Sequence, residues 1–241
     1  MTEGRIYIGT SGWHYDHWTG PFYPADLKSG ERLAYYARHF RAAEINNSFY
    51  QLPGEDTFTA WRDTVGEDFL FAVKASRYIT HMKKLKDPEQ PVAHFLDRVT
   101  ALGGCLGPVL FQLPPRWHAN LARLEAFLAS LPAGRYSFEF RDRSWFEPPV
   151  IDLLRRAGAA LCIYQLAGFR SPKEVTADFV YIRLHGPDGA YQGCYDTQTL
   201  AGWAGAISTW RRQGLDVYVF FDNDQQGFAV KNALSLQKML E

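Results

Sequence analysis

A single (β/α)8 barrel is the fold this sequence predicts, and three observations carry the expectation. Eight apolar, strand-like segments alternate with helix-like ones almost throughout, the pattern of parallel βαβ units. The 241 residues match eight such units in one domain. Polar side chains gather at the C-terminal ends of the strands, which a closed barrel brings to one face. An open doubly wound sheet would need a Gly-rich phosphate loop, and neither G-x-G-x-x-G nor G-x-x-x-x-G-K occurs. No linker, low-complexity run or stronger repeat divides the chain, so residues 1–241 are read as one domain.

The first strand, Arg5–Gly9, ends in the small-residue turn Gly9–Thr10–Ser11–Gly12–Trp13. An aromatic loop with Tyr15, Trp18, Phe22 and Tyr23 follows, and its Gly and Pro residues exclude a long helix. Leu33, Tyr36, Ala37 and Phe40 recur at helical spacing. The second strand, Ala42–Asn46, leads through Asn47–Ser48–Phe49–Tyr50 to a Pro53–Gly54 turn and a helix marked by Phe58, Trp61 and Val65. Phe69–Ala75 is the third strand. Its loop is basic, with Arg77, His81, Lys83, Lys84 and Lys86, before a helix on Val92, Phe95, Leu96, Val99 and Leu102 that Gly103–Gly104 stops. Pro108–Leu113 is the fourth strand, and Asn120 caps a helix with the stripe Leu121, Leu124, Leu128 and Leu131. Tyr136–Arg141 is the fifth, followed by a helix that Pro148–Pro149 open and Gly158 closes. Ala160–Tyr164 is the sixth. Residues 167–177 show no amphipathic stripe, so the sixth helix is expected to be weak or missing. Phe179–Leu184 is the seventh strand, with a helix on Leu200, Trp203, Ala204 and Ile207 closed by Gly214. Asp216–Phe221 is the eighth, before a last helix on Val230, Ala233 and Leu234.

Lys+Arg and Asp+Glu are 26 each, so no global basic field draws in nucleic acid. Aromatics reach 15%, more than a core alone needs, and some are expected to line a binding surface. Cys105, Cys162 and Cys194 have no metal-ligand spacing and are odd in number, which points to a reducing compartment without disulfides. The N-terminal stretch has no apolar segment of signal-peptide length and no run reaches a membrane span. A cytoplasmic location and no membrane partner are therefore expected.

In the seventh strand, Tyr181, Arg183 and His185 share one parity and point to one side. Reading the other C-terminal ends adds Thr10 and Ser11, Glu44 and Asn46, Lys74, Gln112, Glu139 and Arg141, and Asp222 with Asn223. The sixth strand contributes only Tyr164. Polar groups at almost every strand end, in otherwise apolar strands, predict a pocket rather than a solvated rim. Glu44, Glu139, His185 and Asp222 are the candidate acid–base residues, set against structural ion pairing with Lys74, Arg141 and Arg183. The same four are the donor types of a divalent metal site, but no H-x-H or H-E-x-x-H spacing supports one. No G-x-S-x-G elbow is present. Thr10, Ser11, Trp13, Asn46, Tyr50, Lys74, Gln112, Arg141, Trp145, Arg183 and Asn223 are the candidate substrate-binding residues. Lys74, Arg141 and Arg183 suit a phosphate or carboxylate.

The chain also resembles the YecE-like TIM-barrel family of unknown function over nearly its whole length. The resemblance rests on Gly9–Thr10–Ser11–Gly12–Trp13 with Phe22–Tyr23–Pro24, and on Glu44–Ile45–Asn46–Asn47–Ser48–Phe49–Tyr50. It continues through Phe71–Ala72–Val73–Lys74, Phe111–Gln112–Leu113–Pro114–Pro115, Glu139–Phe140–Arg141 with Ser144–Trp145, Tyr181–Ile182–Arg183–Leu184–His185–Gly186 and Phe221–Asp222–Asn223–Asp224. It implies the barrel and no particular activity. Asp222 departs from it, standing where a small polar residue such as Asn is expected. Three classes of function follow: an enzyme acting by acid–base chemistry on a phosphorylated or other anionic small molecule, a metal-assisted nuclease or nucleic-acid hydrolase using the basic loop 77–86, and a non-catalytic anion or nucleotide binder. The last is favoured if a cation neutralises every carboxylate.

Overall fold

In a computed structural model, which describes residues 2–241, eight parallel strands form a nearly closed barrel inside a ring of helices. The strands are β1 (Ile6–Thr10), β2 (Ala42–Ile45), β3 (Leu70–Lys74), β4 (Leu106–Gln112), β5 (Tyr136–Glu139), β6 (Ala160–Leu166), β8 (Phe179–Leu184) and β9 (Asp216–Phe221), and a two-residue β7 (Phe169–Arg170) folds back on β6. The helices are α1 (Arg32–Tyr36), α2 (Asn47–Tyr50), α3 (Glu55–Thr64), α4 (Glu89–Val99), α5 (Leu121–Ser130), α6 (Pro148–Ala157), α7 (Thr197–Arg212) and α8 (Phe228–Leu240). The path β1-β9-β8-β6-β5-β4-β3-β2 is parallel at every ladder. Strands covered on both faces read as apolar runs, as Val217 to Phe221 do.

The expected local signals act where they stand. The Asn120 side chain accepts the Arg123 N–H at 2.9 Å and starts α5. Gly158, at φ 63°, ends α6 in the left-handed conformation. Two stripe positions differ from expectation. Leu121 and Leu234 face solvent, and Phe127 and Leu236 occupy the buried positions instead. No helix connects β6 to β8. The chain turns at Ala167–Gly168, both at positive φ, pairs as β7, and is tied back by Tyr164 N–H to Ser171 Oγ (2.8 Å) and Leu161 N–H to Thr176 Oγ1 (2.8 Å). Side-chain acceptors satisfy backbone groups that a covering helix would otherwise only shield.

The barrel closes between β1 and β2 without a ladder. Gly9 lies so close to β2 that a Cβ there would sit 1.9 Å from the Ala42 carbonyl oxygen. The Tyr36 hydroxyl fills the seam, accepting from Thr10 N–H (2.9 Å) and donating to Ala42 O (3.1 Å). Just beyond β1, Gly12 N–H donates to Glu44 O of β2 at 2.8 Å.

Two apolar layers result. One lies between barrel and helices. The other fills the barrel with the inward parity set Tyr7, Ala42, Ala72, Leu110, Ala160, Cys162, Phe179, Tyr181, Tyr218 and Phe220. Tyr7 and Tyr218 stack at 4.9 Å toward the N-terminal end. The alanines at positions 42, 72 and 160 leave room for Tyr181 and, one layer higher, for Arg183. Among the described residues no helix is long and apolar enough to cross a membrane. The thiols of Cys105, Cys162 and Cys194 are unpaired.

Candidate functional site

The layer above the apolar fill is ionic and centres on Arg183, 1% exposed. Its position follows from parity: two residues beyond Tyr181, it must also point inward. Arg183 Nη2 donates to Glu44 Oε1 at 2.6 Å, Nε to the same oxygen at 3.1 Å, and Nη1 to Glu139 Oε2 at 2.8 Å. Asp222 Oδ2 lies 3.2 Å from Nη2. Glu44 also accepts from Ser11 Oγ (2.7 Å) and from Tyr181 (2.7 Å). Glu139 also accepts from Arg141 Nε and, weakly, from the Cys162 thiol at 3.8 Å. Every oxygen of the two glutamates is therefore engaged, and both residues are fully buried.

The electrostatics follow from this packing. Burial pushes the Glu139 carboxyl up, but the Arg141 and Arg183 charges outweigh it and hold the group well below the usual carboxylate range. Asp222 is also held low: burial raises it, and the His185 hydrogen bond and Arg183 more than reverse that. Burial pushes the thiol of Cys162 and the phenol of Tyr181 well up.

His185 sits at the edge of this cluster, fully buried. Arg141 Nη2 lies 3.1 Å from its Nε2. A guanidinium has no lone pair to offer, so toward Arg141 Nε2 can only accept, and Glu139 Oε1 lies 3.4 Å from the same nitrogen. Nδ1 donates to Asp222 Oδ2 at 2.9 Å. The chain then folds back over the ring. Gly186, at φ 123°, runs so close to the returning strand that a Cβ would lie 2.2 Å from Gln192 O, and Tyr191 N–H donates to His185 O at 2.7 Å.

Arg141 is also a wall of a cleft of about 550 Å3 on the β4–β6 side of the mouth. Gln112 and Arg143 supply its other polar groups, and Phe146, Tyr164, Phe169 and Tyr191 supply rings. Arg141 stacks over Tyr164 at 5.1 Å and Arg143 over Phe169 at 5.5 Å. A larger hollow, about 780 Å3, lies at the opposite end around Glu3, Arg5, His39 and Arg211, far from the buried ionic cluster. The smaller cleft is the one that meets the chemistry.

The residues expected at the site separate into groups. Ser11, Glu44, Glu139, Arg141, Arg183, His185 and Asp222 meet at the barrel mouth, with Arg183 turned inward to carboxylates and away from the cleft. Lys74 points to the same mouth from β3, half-buried, and Gln112 lines the cleft. Asn46 buries its Oδ1 without a partner. The others are placed elsewhere. Thr10 bonds Tyr36 and the Gly12 carbonyl in the barrel seam. Trp13 packs edge-on against Trp61, and Trp145 stacks on Phe140 and donates to Trp117 O at 2.6 Å. Asn223 anchors the loop after β8 through Gly193 O (2.9 Å) and Asn232 (2.8 Å). Tyr50 is 75% exposed on the surface.

Arg143, Phe146 and Phe169 form much of the cleft, yet none stands at the C-terminal end of one of the eight barrel strands, which is why strand-end reading passes over them. Among the described residues no three His, Cys, Asp or Glu side chains are grouped to hold a metal.

Comparison with known proteins agrees with this fold. The chain is 27% identical to the UPF0759 protein YunF of Bacillus subtilis over 98% of its own length and 95% of that protein. It is 33% identical to the UPF0759 protein YecE of Escherichia coli K12, over 58% of this chain and half of that one. A crystal structure of a DUF72 family protein from Thermotoga maritima superposes with a TM-score of 0.89 at 29% identity, covering 98% of this chain and 99% of the other. The family model described as a protein of unknown function, DUF72, matches residues 7–241, and the chain belongs to that family.

Proposed function

We propose that the protein is an enzyme acting on a small anionic molecule held in the cleft beside Arg141, with His185 as the proton-transferring group. One observation carries the reading: His185 is oriented by Asp222 so that its Nε2 lone pair faces Arg141, the guanidinium that also lines the cleft. A ligand phosphate or carboxylate competes with His185 for Arg141. Binding would draw the guanidinium outward and bare Nε2 next to the ligand. The negative charge at Asp222 matters here, because a neutral amide would orient the ring without stabilising the imidazolium that forms. Glu44 and Glu139, with every oxygen engaged by the scaffold, then serve to hold Arg183 and Arg141 rather than to move protons.

The test is a thermal-shift screen of anionic metabolites against the purified protein, followed by turnover of each ligand that raises the melting temperature. Arg143, exposed at the cleft wall, is changed to Ala, and His185 to Gln. The expected outcome is loss of the shift in Arg143→Ala, and a retained shift with turnover reduced by about 10²–10⁴-fold in His185→Gln. Binding without turnover in the unmodified protein would make it a binder instead.

A second reading has its own support. Tyr50, Tyr78 and Met82 are exposed close to the basic loop around Arg77, Lys84 and Lys86, a mixture of rings and cations that suits a nucleic-acid strand. Fluorescence anisotropy with a single-stranded oligonucleotide tests it. Affinity that falls with salt and is lost in Lys84→Glu with Lys86→Glu supports this reading, and no binding at low salt removes it.

A further inference from the structure

On the β2–β3 side of the mouth lies a second set of groups that the acid–base reading does not use. Lys74 is at the C-terminal end of β3, and its carbonyl accepts the Ser48 hydroxyl at 2.7 Å, which fixes the backbone there. Its inward parity continues that of Leu70 and Ala72 in the barrel fill. The Nζ has no carboxylate within ion-pair distance among the described residues; its close partner is the Phe49 ring, 4.2 Å away. The His81 ring packs edge-on against the same Phe49 ring at 4.9 Å. Thr80 Oγ1 lies 3.3 Å from Ser76 O and 2.9 Å from His81 Nδ1, and it holds the ring through that nitrogen, with Nε2 left outside the bond. Asn46, one residue past the end of β2 and the Ile45–Val73 pair, buries an acceptor oxygen with no donor.

We propose that Lys74 is a carbonyl-capturing residue, forming an imine with an aldehyde or ketone that enters the mouth, with His81 as the neighbouring proton carrier. The step balances without any oxidant or reductant. The Nζ lone pair attacks the carbonyl carbon, and a proton passes from nitrogen to oxygen through His81 to give a carbinolamine. The remaining nitrogen proton passes to the hydroxyl by the same route as the C–O bond breaks, so water leaves and the C=N bond forms. Lysines suited to this chemistry are neutral near pH 7–8 because they are desolvated or lie beside another cation. Both conditions hold: burial and then Arg183 push the Lys74 amine down to about 8, against the opposing pull of Glu139, Glu44 and Asp222. Burial, Lys74, Arg77 and Arg141 push His81 down to about 4, so the ring is neutral. Lys173 provides an internal comparison. It also lies over a ring, Trp203 at 4.4 Å, but on the exposed surface.

The experiment incubates the full chain with glyoxylate and sodium borohydride at pH 7.5, and maps carboxymethyl-lysine by peptide mass spectrometry against time. Lys74 is expected to be labelled at least about tenfold faster than Lys83, Lys84, Lys86 and Lys173, with a rate that rises to a plateau with a midpoint near pH 8. His81→Gln is expected to slow labelling at every pH without removing the preference for Lys74. Because the unmodified protein supplies the main result, it does not depend on a variant folding. Lys74 labelled no faster than the surface lysines, or no change in its rate in His81→Gln, would overturn the proposal.

Discussion

At the residue scale, Arg183 separates a ligand-binding guanidinium from a structural one. Three cations converging from three strands suggest an anion site, but the structure places Glu44, Glu139 and Asp222 around Arg183 and leaves it buried. Removing it strands two fully buried carboxylates. Arg183→Met is therefore expected to lower the unfolding free energy by about 3–5 kcal/mol, the cost of breaking a buried pair from one side. Urea unfolding followed by tryptophan fluorescence measures this, and a loss under about 1 kcal/mol would contradict the role. Lys74 gives the opposite sign. Its folded-state pKa, about 8, lies below the unfolded value of about 10.4. Between those limits the unfolded chain binds the extra proton, so stability rises with pH at about 1.4 kcal/mol per unit. In Lys74→Met this rise is expected to vanish, and the variant is expected to be more stable than the parent at pH 7. Unfolding curves at pH 7, 8, 9 and 10 decide it.

At the element scale, the β1–β2 seam is the joint most dependent on single groups. Between Thr10 and Ala42 a single phenol links the two strands where other neighbours have ladders. Tyr36→Phe leaves the buried Thr10 N–H and Ala42 O without that partner. A loss of about 1–3 kcal/mol is expected, together with faster amide exchange at Thr10 than at Ile8. Gly9→Ala places a methyl against the Ala42 carbonyl and is expected to be worse than Tyr36→Phe. If both variants match the parent in urea, the seam is not held as described. The hairpin of β6 and β7 was open to inference only as a gap. Residues 167–177 lack a helical stripe, which foretells the missing helix but not the return strand that puts Phe169 into the cleft wall. Its pairing depends on two residues at positive φ and on Ser171 reaching Tyr164, contacts that leave no periodicity behind.

At the scale of the whole molecule, the ionic layer couples the site to the stability of the barrel. Glu139 and Asp222 both keep their protons off below the ordinary carboxylate range. The unfolded chain takes up those protons first, near pH 4, so this stabilisation is complete above the unfolded values of about 3.9–4.3 and is lost as pH falls toward the folded ones. The melting temperature is expected to drop steeply below pH 4. Glu139→Gln is expected to show a shallower drop from a lower starting point. Parallel acid profiles for the two proteins would place the titration elsewhere.

The sequence by itself determined the order of the main strands and helices, the closed parallel architecture, a weak or missing sixth helix and the shared side of Tyr181, Arg183 and His185. These are consequences of chain periodicity, of Gly and Pro at turns, and of the length of one βα unit, all readable from neighbours in the chain. It also brought Glu44, Glu139, Arg141, Arg183, His185 and Asp222 to one end of the barrel, because every inward strand end arrives there. Only the tertiary structure decided which of them face a ligand. Arg183 and Glu44 are 139 positions apart, yet they form the shortest contact Arg183 makes, while Arg141, identical in chemistry, is left at a cleft wall. Charge neutralisation in a buried layer depends on distances of a few ångströms between different strands, and barrel curvature sets those distances. The same reason hides Trp145 and Trp13 behind the barrel and brings Phe169 forward: side-chain type marks what a residue can do, and packing assigns which ones reach the opening.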